Sequence, residues 1–180
     1  MTLTLLIGGA RAGKSDLAVR IAQSWNSHVT FVATAEAWDD EMAERIHRHQ
    51  ANRPPDWTTV EEPRHLDRVL ANVPADSGVV IDCLTLWVNN VMVDKVPDDD
   101  VPDLARRLAE QAAAHPGGVV AVTNEVGLGV VPVNRLSRRY VDLLGAVNRT
   151  WVEVAARSLL VVAGRVLSLP PTETGTPPWT

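Results

Sequence analysis

Residues 8–15 read Gly8-Gly9-Ala10-Arg11-Ala12-Gly13-Lys14-Ser15, a G-x-x-x-x-G-K-S pattern. This constrains the chain more than any other stretch, because the pattern works in one setting: the turn from a buried strand into a helix. Both flanks comply. Thr2 to Ile7 is an apolar, β-prone run, and Asp16 to Ala22 has helical composition. Gly8 and Gly13 allow backbone angles that other residues avoid, and Gly9 lets a phosphate approach the chain. The loop amides and the helix N-terminus then face an anion. Lys14 is expected to reach the β- and γ-phosphates, and Ser15 to hold Mg²⁺.

The remaining pattern alternates strands with helices. Strands are expected at 28–34, 57–61, 78–82, 119–123, 159–163 and 166–168. Their branched apolar residues suit burial on both faces of a parallel sheet. Helices are expected at 39–51, 64–73, 84–93, 103–114 and 134–156, the last interrupted near Gly145. The acidic, proline-bearing stretch 96–102 reads as a surface loop. This order predicts an α/β, P-loop NTPase-like (RecA-like) fold, a mostly parallel central sheet flanked by helices. Residues 1–169 are read as one nucleotide-binding domain, and 170–180, rich in Pro and Thr, as a loose tail.

Composition excludes some classes. The net charge is −5, and no basic run stands out to engage a nucleic-acid backbone. Cys83 is the one cysteine, so no disulfide framework forms within the chain, and a reducing cytoplasm fits. No apolar run is long enough to span a bilayer, and the start carries no leader pattern. The six Trp are read as packing residues.

The strand ends give the candidate chemistry. Asp82 ends an apolar strand, where a carboxylate can meet the Mg²⁺ of the loop; it could equally cap the helix that follows Cys83. On helix 39–51, Arg45 and His49 lie four apart on one face, with Arg48 adjacent and Arg53 close behind. That group suits an anionic ligand, and His49 could attack phosphorus; a solvated basic face balanced by Glu41 and Glu44 is the alternative. Glu61 and Glu62 follow a strand and could bind ribose or base edges, or form an exposed turn. The loop with Gly127 and Gly129 reads as a lid or as a tight turn. No N-K-x-D guanine motif is present, which argues against a GTP switch.

Several stretches together resemble one family, the bifunctional adenosylcobinamide kinase/adenosylcobinamide-phosphate guanylyltransferases. They are residues 8–15, Ala33-Thr34-Ala35, Asp40-Glu41-Met42 through Arg45-Ile46-His47-Arg48-His49 to Arg53-Pro54, Trp57-Thr58-Thr59-Val60-Glu61, and Val122 to Pro132. The likeness runs from residue 3 to about 168. It implies that ATP or GTP phosphorylates adenosylcobinamide, and that GMP from GTP then passes through a guanylylated histidine to the cobinamide phosphate. That histidine falls on His49. The implied nucleotide contacts fall on the loop (Gly8 to Ser15), Ala33, Thr34, Ala35, Asn52 and Arg53, Glu61 and Asp82, with Ser15 and Asp82 holding Mg²⁺. Family members often carry Glu where this chain has Asp82, and NQ where it has Asn148-Arg149. The resemblance also implies a homo-oligomer such as a trimer. A P-loop kinase of another small alcohol, without guanylyl transfer, is the competing reading.

Overall fold

The computed structural model describes residues 2–37, 44 and 53–171. The elements are β1 (Leu3–Gly8), α1 (Lys14–Gln23), β2 (Val29–Ala33), β3 (Thr58–Glu61), α2 (Leu66–Asn72), β4 (Gly78–Asp82) and α3 (Leu84–Val93). A 3-10 turn (Asp98–Asp100), α4 (Val101–Ala114), β5 (Val119–Asn124), α5 (Arg135–Val154), β6 (Arg157–Val162) and β7 (Arg165–Ser168) follow. Apart from residue 44, the expected helix 39–51, with Arg45, Arg48 and His49, lies outside the described residues, as do Asn52 and most of the tail.

The strands form one seven-stranded sheet in the order β3-β2-β4-β5-β1-β6-β7. Every neighbouring pair is parallel except the β6–β7 hairpin. The strand that feeds the glycine loop is therefore central, between β5 and β6. Alternation along the strands divides the core. Leu3, Leu5, Val79, Ile81, Val119 and Ala121 meet α3, α4 and α5 on one face. Leu6, Phe31, Val80, Val120, Val122 and Val161 meet Ala18 and Ala22 of α1 on the other. Each fully buried aliphatic side chain contributes about 1.5–3 kcal/mol relative to exposure. Trp87 and Trp151 are fully buried on the first face, in keeping with a packing role.

Three boundaries differ from the sequence expectation. The 96–102 stretch is not all loop: Asp98–Asp100 make a 3-10 turn and α4 begins at Val101. Pro102 sits in the first helical turn, where its missing N–H costs nothing. Helix α5 runs unbroken through Gly145, which is exposed, while Leu144, Val147 and Trp151 anchor the opposite face. Strand β6 begins at Arg157 rather than Leu159, because β1 pairs with it from Thr4 onward.

Candidate functional site

The glycine loop leaves β1 and enters α1 at Lys14, as the motif requires. Gly8 lies so close to β6 that a Cβ there would overlap the Val161 carbonyl. Gly13 precedes the helix with φ 94°, in the left-handed region that glycine occupies without strain. Lys14 is buried, and its Nζ donates to the carbonyls of Gly8 (3.0 Å) and Gly9 (2.6 Å). Its ammonium is thus held over the loop by the loop's own backbone. Gly9, Ala10 and Arg11 are exposed, whereas Ala12, Gly13 and Ser15 are half-buried.

Strand alternation sets the neighbours. Asp82 lies two residues beyond Val80, and Asn124 two beyond Val122, so both share the α1 face of the sheet. Ala33 pairs with both Glu61 and Asp82, and Gly8 pairs with Asn124. At the carboxyl edge, Glu61, Ala33 and Asp82 therefore form a row; Asp82 pairs with Val122, so Asn124 and Gly8, paired with each other, stand two residues further along the same face. This is the edge at which α/β sheets bind ligands. Asn124 had no assigned role in the sequence reading. Its place beside Gly8 depends on strand order, which local pattern does not reveal. Its N–H donates to Thr85 Oγ1 (2.7 Å) and its carbonyl accepts from Asn148 Nδ2 (3.0 Å), so buried side chains fix the strand tip.

Arg53 reaches the same face. Its guanidinium stacks on Phe31, 4.0 Å from the ring centroid, which favours the cation. Nη1 lies 3.4 Å from Thr59 Oγ1, and Nε is buried without a hydrogen-bond partner. Desolvation draws the Arg53 pKa below the ordinary arginine value, and the negative charges of Asp82 and Glu61 oppose that shift. A cavity of about 450 Å³ opens here, lined by Arg53, Pro54, Pro55, Trp57, Thr59 and Glu61.

Thr34 is fully buried and acts as a strut. Its hydroxyl donates to the Cys83 carbonyl (2.7 Å) and accepts from the Cys83 N–H (2.7 Å). Its N–H donates to the Asp82 carbonyl, and its own carbonyl accepts from Asn90 Nδ2 (2.9 Å). The strut fixes the backbone on which Asp82 stands. Ala35 is half-buried beyond it. The capping alternative for Asp82 does not apply: the N-cap of α3 is Cys83, with no side-chain cap. Burial and then Asp82 push the Cys83 thiol up to about 11, which disfavours its thiolate form at neutral pH.

The 124–132 loop starts as a turn, with Glu125 Oε1 accepting from Gly127 N–H (2.6 Å). Beyond the turn, Leu128, Val130, Val131 and Val133 stand out in solvent. Among the described residues no helix is long and apolar enough to cross a membrane. No cluster of three or more His, Cys, Asp or Glu side chains there forms a metal cage.

Comparison with known proteins agrees with this architecture. Residues 4–169 match the family model described as cobinamide kinase / cobinamide phosphate guanyltransferase. The chain is 42% identical over 167 residues to the bifunctional adenosylcobalamin biosynthesis protein CobP of Pseudomonas aeruginosa, covering 92% of this chain and 95% of that one. It is 38% identical over 175 residues to the bifunctional adenosylcobalamin biosynthesis protein CobU of Escherichia coli, covering 90% and 96%. Among solved structures, the fold is similar to an ATPase of a bacterial type III secretion system (TM-score 0.52, 13% identity, 88% of this chain and 51% of that one). It is also similar to the RadB recombinase (TM-score 0.51, 15% identity, 88% and 73%). The chain spans about half the length of that ATPase, and at such identity the likeness shows the fold alone. By its sequence over nearly its whole length, the chain belongs to the cobinamide kinase / cobinamide phosphate guanyltransferase (CobU) family.

Proposed function

We propose that one nucleotide site on this rim serves both family activities, with the triphosphate in the Gly8–Ser15 loop and His49 as the group that carries GMP. The observation that carries the reading is that Glu61 and Asp82, and two residues further on Asn124 and Gly8, share one sheet face beside a buried Lys14. It aligns a phosphate cradle with carboxylates on one edge.

In the kinase step, the hydroxyl oxygen of adenosylcobinamide attacks the γ-phosphorus. The bond to the β,γ-bridging oxygen breaks, and the nucleoside diphosphate leaves. Lys14 and the loop amides stabilise the charge spread over the transferring group. In the second reaction, an imidazole nitrogen of His49 attacks the α-phosphorus of GTP and pyrophosphate leaves. The phosphate of adenosylcobinamide phosphate then attacks that phosphorus, and the nitrogen–phosphorus bond breaks to give adenosylcobinamide-GDP. Splitting one displacement into two suits a nucleophile that is neutral near pH 7. Arg53, with Asp82 and Glu61 as its electrostatic neighbours, would meet the nucleotide outside the loop together with Ala33 to Ala35, and the family likeness adds Asn52.

Mg²⁺ fits the donors present. Ser15 offers a hydroxyl and Asp82 a carboxylate, and this ion takes one or two protein oxygens with the rest from phosphates and water. When bound, it would neutralise charge on the phosphate oxygens.

The exposed apolar side chains of Leu128, Val130, Val131 and Val133 support a homo-oligomer, a trimer by family likeness. Light scattering tests that. The single cysteine supports a reducing, cytoplasmic setting.

The test of the histidyl step is labelling with GTP carrying ³²P at the α position. The wild type is expected to hold an acid-labile, alkali-stable label, and His49→Ala none, while His49→Ala still phosphorylates adenosylcobinamide. Label persisting on His49→Ala would overturn the assignment. No label on either protein would favour a plain kinase.

A further inference from the structure

We infer that the Ala163–Gly164 turn between β6 and β7 is a positioning element of the glycine loop, holding the Ala12–Gly13 peptide so that the Gly13 N–H faces the phosphates. The inference rests on the nucleotide site proposed above.

The hairpin touches the loop at both ends. Near its start, Gly8 packs against the Val161 carbonyl of β6 so closely that no side chain fits. Near its end, the Gly164 N–H donates to the Ala12 carbonyl at 2.9 Å. A Cβ built on Gly13 would lie 3.6 Å from the Gly164 Cα, ordinary van der Waals distance, so the turn runs close beside the loop. Ala163 (φ 49°) and Gly164 (φ 73°) are both left-handed, the conformation of a two-residue hairpin turn that follows strand twist. An alanine at the first of these positions is uncommon, and its strain is the cost of placing the Gly164 N–H there.

The consequence follows from peptide planarity. In a trans peptide the carbonyl and the N–H point in opposite directions. A phosphate cradle needs N–H groups turned inward, so each such peptide has its carbonyl turned out. An outward carbonyl without a partner lets the peptide rotate and present oxygen to the phosphate, which repels it. The Gly164 N–H holds the Ala12 carbonyl outward and so holds the Gly13 N–H inward. The turn touches no substrate itself; it acts through the loop.

Calorimetric titration of Mg²⁺-ATP into the full-length enzyme tests this. Gly164→Asn tolerates the left-handed backbone and keeps the N–H; its Kd is expected within about threefold of wild type. Gly164→Pro lacks the N–H and is expected to raise Kd about tenfold or more. A lowered Tm with an unchanged Kd in Gly164→Pro would mean a merely structural turn and overturn the inference. If that variant does not fold, amide hydrogen exchange on the wild type decides. The Gly164 amide is expected to be protected, and to exchange about tenfold more slowly with a non-hydrolysable ATP analogue bound. Exchange that ignores the nucleotide would overturn the inference. A wild type that binds no ATP at all would instead defeat the nucleotide site on which it rests.

Discussion

The centre and the outer part of the rim are built differently. At the centre, residues 8–15 are held almost wholly by backbone: Lys14 on the Gly8 and Gly9 carbonyls, Glu125 N–H on the Gly8 carbonyl, Gly164 N–H on the Ala12 carbonyl. At the outer part, on β2 and β3, charged side chains make the site. Arg53 lies there over Phe31 with a buried, unpartnered Nε, beside an open cavity. A backbone cradle is set before any ligand arrives and recognises the phosphates that every nucleotide shares. A desolvated cation with incomplete hydrogen bonding is stabilised by an arriving polar ligand, and it can discriminate among nucleotides. On the proposed function, the contrast would put phosphate chemistry at the centre and nucleotide choice in the outer part.

The largest expected effect comes from breaking the centre. Lys14→Ala removes the cation held over the loop. It is expected to lower kcat/KM of both reactions about 10²–10³-fold or more, measured with ATP for the kinase step and GTP for the transfer. A loss confined to one reaction would mean that the two do not share the loop. Arg53→Met sharpens the contrast by touching only the outer part. KM for GTP is expected to rise about tenfold, with kcat in the kinase step nearly unchanged. Because the variant removes a half-buried charge, its Tm is expected to hold or rise. Equal losses in both steps would erase the distinction between the two regions.

Thr34 joins the regions, and its variant is expected to change stability more than chemistry. Thr34→Val keeps the shape but leaves the N–H and carbonyl of Cys83 without their partner. Unpaired buried backbone groups of this kind cost about 2 kcal/mol, which for a chain of this size lowers Tm by about 4–8 °C. Calorimetric melting checks it. An unchanged Tm would mean that the segment holding Asp82 is fixed by other means.

Strut and loop differ also in how legible they were in the sequence. The loop could be read because its glycines, lysine and serine are contiguous and the flanking periods change from strand to helix. The strands could be read because branched apolar runs survive burial on both faces. The strut joins residues 49 positions apart, and nothing local to Thr34 marks it as a buried anchor rather than a ligand contact. The Gly164 contact is similarly remote, since it exists because β6 lies beside β1. Position in the chain also hid Pro102, whose proline and acidic neighbours suggest a loop until the helix behind it is seen. Of the candidate site, the loop, Asp82, Glu61 and Arg53 lie on one face of the sheet edge, while His49 and Asn52 lie outside the described residues.

The smallest expected effect concerns the turn that sets up α2 beside the outer region. Glu62 Oε1 accepts the N–H of Arg64 (2.9 Å) and of His65 (2.8 Å), and Arg64 in turn holds Glu36 and Asp94. Burial pushes the Glu62 pKa up, but the two backbone N–H groups and the positive charges of His65 and Arg68 outweigh it, so the net shift is downward. A carboxyl whose folded pKa is lowered adds stability above its unfolded value, about 4.3, and loses it as pH falls through the folded value. Glu62→Gln keeps an oxygen for both amides and removes the charge. The wild type is therefore expected to melt about 1–2 °C above the variant near pH 7, because solvent screens so exposed a group. The two are expected to converge as pH falls below the unfolded value and through the lowered folded one. Curves that run parallel down to acid pH would show that the oxygen, and not its charge, shapes the turn, and would leave the outer region with Arg53 as its main electrostatic feature.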